Sequence, residues 1–279
     1  MISVGGILVV RTMLSQYTEP FRIIWKHRRL LALTTASDIK TRFAGSILGL
    51  AWILLYPLLL LGAYAFIYIF VFKVRLNIDT EPIDFVIMIF CGLIPFLGIA
   101  EALGLGVPSV TNNASLIKNT LFPIELIPIK AVLTSQCTQV GGLFLLILTL
   151  AILGKLTLFS LLVVPIWLLN IMISVGVVWV LSSANVYLRD LQNMVAIMTL
   201  ILMMVSPIAY TEEMVPEKMR IVLYFNPLYY LISSYRDVLM HGKFPEWRIF
   251  GIYAISSLTI FFAGYNFFSR MKKVFTDNV

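Results

Sequence analysis

Apolar and polar positions along this chain follow two patterns. In the first 46 residues they mix at helical spacing. Phe21, Ile24 and Trp25 share one face, with Arg22, Lys26 and Arg29 beside them. Ile39, Phe43, Ile47 and Leu50 recur at steps of four, four and three. This predicts one or two amphipathic helices lying on a membrane surface and leading into a first span. A basic flank that only anchors that span would give the same pattern. Beyond residue 46 the chain turns to long apolar blocks at about 47–72, 84–107, 128–153, 157–183, 193–211 and 248–269. Each is long enough to be read as a helix crossing roughly 30 Å of hydrocarbon. Prolines 57, 95, 165 and 207 lie inside or near the ends of these blocks, where neighbours or water can satisfy the freed carbonyls. Gly98, Ala102 and Gly106 form a row of small residues that suits close helix packing.

The longest connection, 212–247, is itself rich in apolar and aromatic residues but broken by charges and by Asn226-Pro227. Its pieces are too short to span. They predict two short helices dipping into the outer half of the membrane, either a moving gate or a fixed cap. Tyr224, Phe225, Asn226, Pro227, Tyr229 and Tyr230 are the gate candidates.

Composition supports lipid as the solvent. Sixty per cent of the 279 residues are hydrophobic and 13% are charged, against about 45–50% and about 25% in soluble domains. Mean hydropathy is +0.94. The expected architecture is therefore all-α, a single unit over 1–279. It comprises a cytoplasmic amphipathic interface segment at 1–46, a six-span bundle at 47–270 and an external re-entrant gate segment at 212–247. The net charge of +7 flanks the spans instead of forming a basic domain, which argues for membrane orientation and against nucleic acid. With the N-terminus inside, thirteen Lys and Arg fall on the cytoplasmic side and eight outside, predicting both termini cytoplasmic. Cys91 and Cys137 sit in apolar runs and read as small buried hydrophobes. The opening MISVGGILVV has no basic residue before it and does not read as a cleaved signal peptide.

Catalytic chemistry finds little support. The two histidines, His27 and His241, fall on opposite sides, so no histidine pair or metal motif is available. Gly154-Lys155 and Gly242-Lys243 lack the following Ser or Thr of a phosphate-binding loop. The chain therefore cradles no ATP, and driven transport would draw on a partner or an ion gradient. Glu101 is the one acid deep in a span. It fits a proton relay, a structural pair with Lys130, or a wet cavity. Trp52, Tyr56, Tyr64 and Tyr68 are separated by multiples of four in the first block. Such rings can stack on sugar faces and bond hydroxyls without gripping one sugar; an interfacial aromatic belt gives the same pattern.

Between the second and third spans, "NASLIKNTLFPIELIPIK" at 113–130 carries charge in a chain that otherwise avoids it. Together with "DIKTRFAGSILGLAWILLYPLLL" at 38–60, "GLIPF" at 92–96, "YLRDLQNMV" at 187–195 and "SPIAY…FNPLYYLISSYRD" within 206–237, it resembles the permease subunit of type-2 ABC exporters of the polysaccharide group. These export lipid-linked O-antigen, capsule or teichoic acid. Phe96-Leu97 departs from the Trp expected there.

The resemblance implies a bacterial inner-membrane protein acting as a homodimer. Two ATP-binding cassette subunits would hold the ATP and Mg2+, while this chain binds no cofactor or metal of its own. It implies that Ser115, Leu116, Lys118, Asn119, Leu121 and Phe122 dock on the ATPase. It also suggests that Lys26, Arg28 and Arg29 gather the diphosphate of the lipid carrier, although attraction to the membrane surface explains them equally. Exporters of small amphiphiles and ion-coupled carriers are the alternative readings.

Overall fold

The computed structural model describes residues 18–71, 82–119 and 122–278. Residues 18–26 form α1 and Arg28–Arg42 form α2, joined by a turn at His27. The chain leaves α2 through 43–48, with Gly45 and Gly49 at positive φ of 79° and 50°, a region that glycine enters without steric cost. The surface helix therefore ends before the first span, and Ile47 lies wholly in the open. A 3-10 turn then leads into α3, Trp52–Ala65, which continues as a π turn over Phe66–Val71.

The other elements are α4, Pro82–Gly106; the short α5, Ser109–Asn112; α6, Ala114–Asn119; and α7, Leu126–Ile152. After them come α8, Val163–Asn185; α9, Leu191–Val205; α10, Glu217–Phe225; α11, Pro227–Leu239; and α12, Trp247–Asn278. Among the described residues no strand is present. Five helical stretches are long and apolar enough to cross a membrane: Gly49–Val71, Pro82–Gly106, Leu126–Ile152, Leu158–Asn185 and Trp247–Lys272. Their bounds follow the expected blocks closely, because hydropathy over some twenty residues sets them.

The block expected at 193–211 differs. Its helix, α9, is apolar but only 15 residues long, a rise of about 22 Å. Ser206 turns extended, with ψ 142°, and Pro207 follows. Carbonyls freed at such a break need donors. The Arg236 guanidinium supplies them, donating to the carbonyls of Pro207 at 2.6 Å, Ile208 at 2.9 Å and Tyr210 at 3.1 Å.

Helix α4 is the hub: residues 85–96 are all buried, with α7, α8 and α11 around them. The row of small residues works as its spacing suggests. A Cβ on Gly98 would overlap the Gln139 side chain on α7, and one on Gly106 would overlap Val178 on α8. Helices α8 and α12 form the most extensive pair and meet through Gly176 and Gly264, where an added Cβ would strike opposing backbone. Close backbone approach of this kind substitutes for the hydrophobic drive that lipid does not supply.

Several polar side chains in the spans bond across helices. Trp167 Nε1 donates to Gln136 Oε1 at 2.9 Å. Asn170 Nδ2 donates to Gln139 Oε1 at 3.2 Å, and Gln139 Nε2 to the Tyr235 hydroxyl at 3.3 Å. These bonds tie α7 and α8 to α11.

Candidate functional site

Two ends of the bundle can be told apart by their ion pairs. At the end carrying α1 and α2, Lys130 meets Asp38 at 2.9 Å, and Lys272 pairs with Glu125. At the opposite end Lys155 pairs with Asp84. Glu101 pairs with Arg42, not with Lys130. The nearest cation in the fold comes from 59 residues earlier in the chain, and Lys130 is already held by Asp38.

The Arg42–Glu101 pair lies in the wall of an open pocket of about 480 Å³. Arg42 and Phe43 close it from the end of α2. Trp52 and Tyr56 line it from α3, Leu97, Ala100 and Glu101 from α4, and Thr138 from α7. Trp52 is 37% exposed and Tyr56 45%. The indole Nε1 donates to Ser46 Oγ at 3.0 Å, which fixes the ring at the rim.

The aromatic stripe is thereby divided. Trp52 and Tyr56 face the pocket. Tyr64 and Tyr68 stack on each other at 6.0 Å, and Tyr68 meets Phe85 of α4 at 5.1 Å, so both pack beside the α4 core. Even spacing in sequence does not keep the four on one surface, since steps of four overshoot a 3.6-residue turn and the stripe drifts around α3, with the π turn at Phe66–Val71 intervening before Tyr68.

A second groove of about 260 Å³ lies between α4 and α9, lined by Ala100, Leu103, Gly104 and Val107 opposite Gln192, Val195, Ala196 and Thr199. Ala100 belongs to both cavities, so α3 and α9 flank one face of α4.

Lys26, Arg28 and Arg29 are all exposed. Arg28 is engaged locally: Nη1 donates to the Trp25 carbonyl at 2.8 Å, and the guanidinium lies 4.6 Å over the Trp25 ring. In α6, Ser115 and Lys118 are exposed, Ile117 is buried, and Leu116 and Phe122 are half-buried against the core. Leu121 and the side chain of Asn119 lie outside the described residues.

The two short helices after α9 differ in kind. Ten residues of α11 are buried, so it is a wedge in the bundle. Only Leu223 is buried in α10, and Phe225 is 84% exposed. Asn226 joins them: its Oδ1 caps α11 by accepting from Leu228 N at 3.0 Å, and its Nδ2 donates to Ser206 Oγ at 2.9 Å. Pro227 sits at the first turn of α11, where its missing N–H costs nothing. The hydroxyls of Tyr224 and Tyr229 both donate to the Glu212 carboxylate, and the Tyr230 hydroxyl donates to the Tyr224 carbonyl at 2.8 Å. These tyrosine bonds hold the Glu212 carboxyl below its usual range.

Sequence reasoning missed Arg42 and Arg236, counting both as orientation charges. The rule that an acid in a span seeks a cation would have prompted a search for the partner of Glu101. Among the described residues, no group of three or more His, Cys, Asp or Glu could hold a metal ion.

Comparison with known proteins agrees with this architecture. The family model described as ABC-2 type transporter matches residues 29–240, and the chain belongs to that family. It is 27% identical to the O-antigen export system permease protein RfbA of Klebsiella pneumoniae over 89% of this chain and 94% of the relative. It is 23% identical to the RfbA permease of Myxococcus xanthus over 92% and 98%. Similarity to the polysialic acid transport protein KpsM of Escherichia coli is 26% over 81% and 87%. The chain is thus a multi-pass membrane protein similar to polysaccharide export permeases.

Proposed function

We propose that this chain is the membrane subunit of an ATP-driven exporter that moves a lipid-linked polysaccharide outward across the bacterial inner membrane. The observation that carries this reading is α3: only Pro57 is buried along it, and its Trp52 and Tyr56 face an open pocket. A span that finds so little of its packing within its own subunit suits a second copy and a pathway between copies. In this reading both termini are cytoplasmic, and α9 with the bent 206–210 segment makes a sixth crossing. Two ATPase subunits bind the α6 region, with Ser115 and Lys118 facing them and Ile117 anchoring the helix. The relatives named for O-antigen and polysialic acid transport support a glycan as cargo.

The test is export in a strain lacking its own permease, with the chain co-expressed beside its ATPase. Surface polysaccharide should require both subunits and ATP hydrolysis. It should fall several-fold in the Trp52→Ala, Tyr56→Ala double variant while the amount of protein in the membrane is unchanged. Transport by the purified chain alone under an ion gradient would overturn the reading, and ATPase stimulation by small hydrophobes alone would favour an amphiphile exporter.

A further inference from the structure

Helix α12 carries one misplaced charge on its last apolar stripe. Phe268, Lys272 and Phe275 recur at steps of four and three, which puts them on one helical face. Both phenylalanines are fully buried, in the cluster that also holds Ile117 of α6. Arg270, on another face, is exposed. A lysine on a buried stripe needs a partner, and Lys272 has one: its ammonium pairs with the Glu125 carboxylate.

Glu125 is the residue from which α7 starts, directly after the α6 region, and its side chain is only 8% exposed. An acid suits a helix N-terminus, but this residue is also gripped by two other helices. Lys272 reaches it from α12. Trp179 of α8 donates its indole N–H to the Glu125 carbonyl at 3.1 Å. The Trp179 ring lies against Phe261 at 5.2 Å and Tyr265 at 5.4 Å, both on α12. The other side of the α6 region is fastened to α8 as well, where Asn185 Nδ2 donates to Thr111 Oγ1 on α5 at 3.4 Å.

We propose that the Glu125–Lys272 pair is the contact through which the ATPase stroke at α6 passes into α8 and α12. The assignment rests on the exporter reading above, in which α6 receives the ATPase, and adds to it the positioning residues that carry the movement. Coupling between distant sites travels through packed side chains, ion pairs and rigid elements, and each link is in place. Helices α8 and α12 meet backbone to backbone at Gly176 and Gly264, so they move as a unit. From α8 the chain passes through 186–190 into α9, one wall of the groove that holds Gln192 and Thr199. A displacement of α6 thereby reaches the open face of α4. With the pair broken, α6 follows the ATPase while α12 stays behind, and ATP is hydrolysed without transport.

The experiment compares two quantities for each variant, both normalised to the amount of assembled complex. One is hydrolysis of MgATP by the purified permease–ATPase complex in nanodiscs. The other is surface polysaccharide in a strain lacking its own permease. Lys272→Met keeps a long apolar side chain and removes the charge. It should retain most of the wild-type hydrolysis and lose about five-fold or more in polysaccharide. Lys272→Arg, which still pairs with Glu125, should restore most of the export. Trp179→Phe keeps the ring between α8 and α12 and removes only the N–H given to the Glu125 carbonyl. It should lower polysaccharide per ATP about two-fold at an unchanged melting temperature. A purely structural pair predicts that assembly, hydrolysis and export fall together at a constant ratio. That result in Lys272→Met, or no rescue by Lys272→Arg, overturns the proposal. If Lys272→Met does not assemble, Trp179→Phe decides, and an unchanged ratio there overturns the proposal. A constant ratio with wild-type export intact leaves the exporter reading standing, whereas absence of ATP-dependent export by the wild-type complex removes both.

Discussion

At Glu212 the carboxylate is met by two phenol donors from different helices, Tyr224 on α10 and Tyr229 on α11. The bonds of Tyr224 and then Tyr229 stabilise the charged form and hold the Glu212 carboxyl below its usual range. A carboxyl depressed in the folded state adds stability above its unfolded value of about 4.3, and loses it as pH falls through the folded value. The expected outcome concerns the melting temperature of the wild type minus that of Glu212→Gln. The difference should be positive and flat from neutral pH to roughly pH 5.5 and should shrink below about pH 4.3. A scan in detergent at several pH values reads it directly, and a difference that grew on acidification would contradict the bond assignment. Most of this cluster was visible in sequence as an aromatic, charged segment. The joining of Glu212 to tyrosines twelve and seventeen residues on was not, because it depends on how the chain turns at Asn226.

Among the helices, span positions were legible and span roles only partly so. The blocks around α4, α7, α8 and α12 announce themselves through hydropathy. The shortness of α9 does not, because residues 206–211 continue an apolar run while Ser206 and Pro207 end the helix. Arg236 is what makes that ending tolerable, and in the sequence it counted only as an orientation charge on the outer side. Likewise nothing in 212–247 distinguishes α11, a buried wedge, from the exposed α10 until the packing is known. The α6 region was legible from its charge and its prolines, and the fold sorts its residues by exposure. Ser115 and Lys118 point away from the core, whereas Ile117 is buried with it. If α6 receives the ATPase, Lys118→Glu should reduce co-purification of that subunit at least several-fold and leave the thermal stability of the permease alone within about 0.5 kcal/mol, as for other surface changes. Ile117→Asp should lower stability instead, since it buries a charge. Full retention of the ATPase by both Lys118→Glu and Ser115→Arg would remove α6 from the contact.

For the whole molecule, the question is what covers the face that α4 leaves between α3 and α9. Helix α3 has one buried residue and α9 has none, although both are as apolar as the buried spans. Lipid can solvate such faces, so apolarity alone does not demand a partner. The two grooves that meet at Ala100 add the missing element: open, partly polar space lined by Glu101 and Arg42 on one side and Gln192 and Thr199 on the other. Polar lining in a membrane suits a cavity shared with protein or water more than contact with acyl chains. A two-fold pair of chains that places this face inward encloses the space, with an isologous interface in which equivalent residues approach near the axis. Single cysteines at Leu59 on α3 or Met204 on α9, both well exposed, should therefore yield a disulfide-linked dimer in oxidised membranes when Cys91 and Cys137 are replaced by Ser or Ala. A cysteine at Ile255, equally exposed but on α12, should leave the chain monomeric on a non-reducing gel. Cross-linking through Ile255 with none through Leu59 or Met204 would place the dimer on the opposite side and leave α3 facing lipid, and the pathway between copies would have to be abandoned.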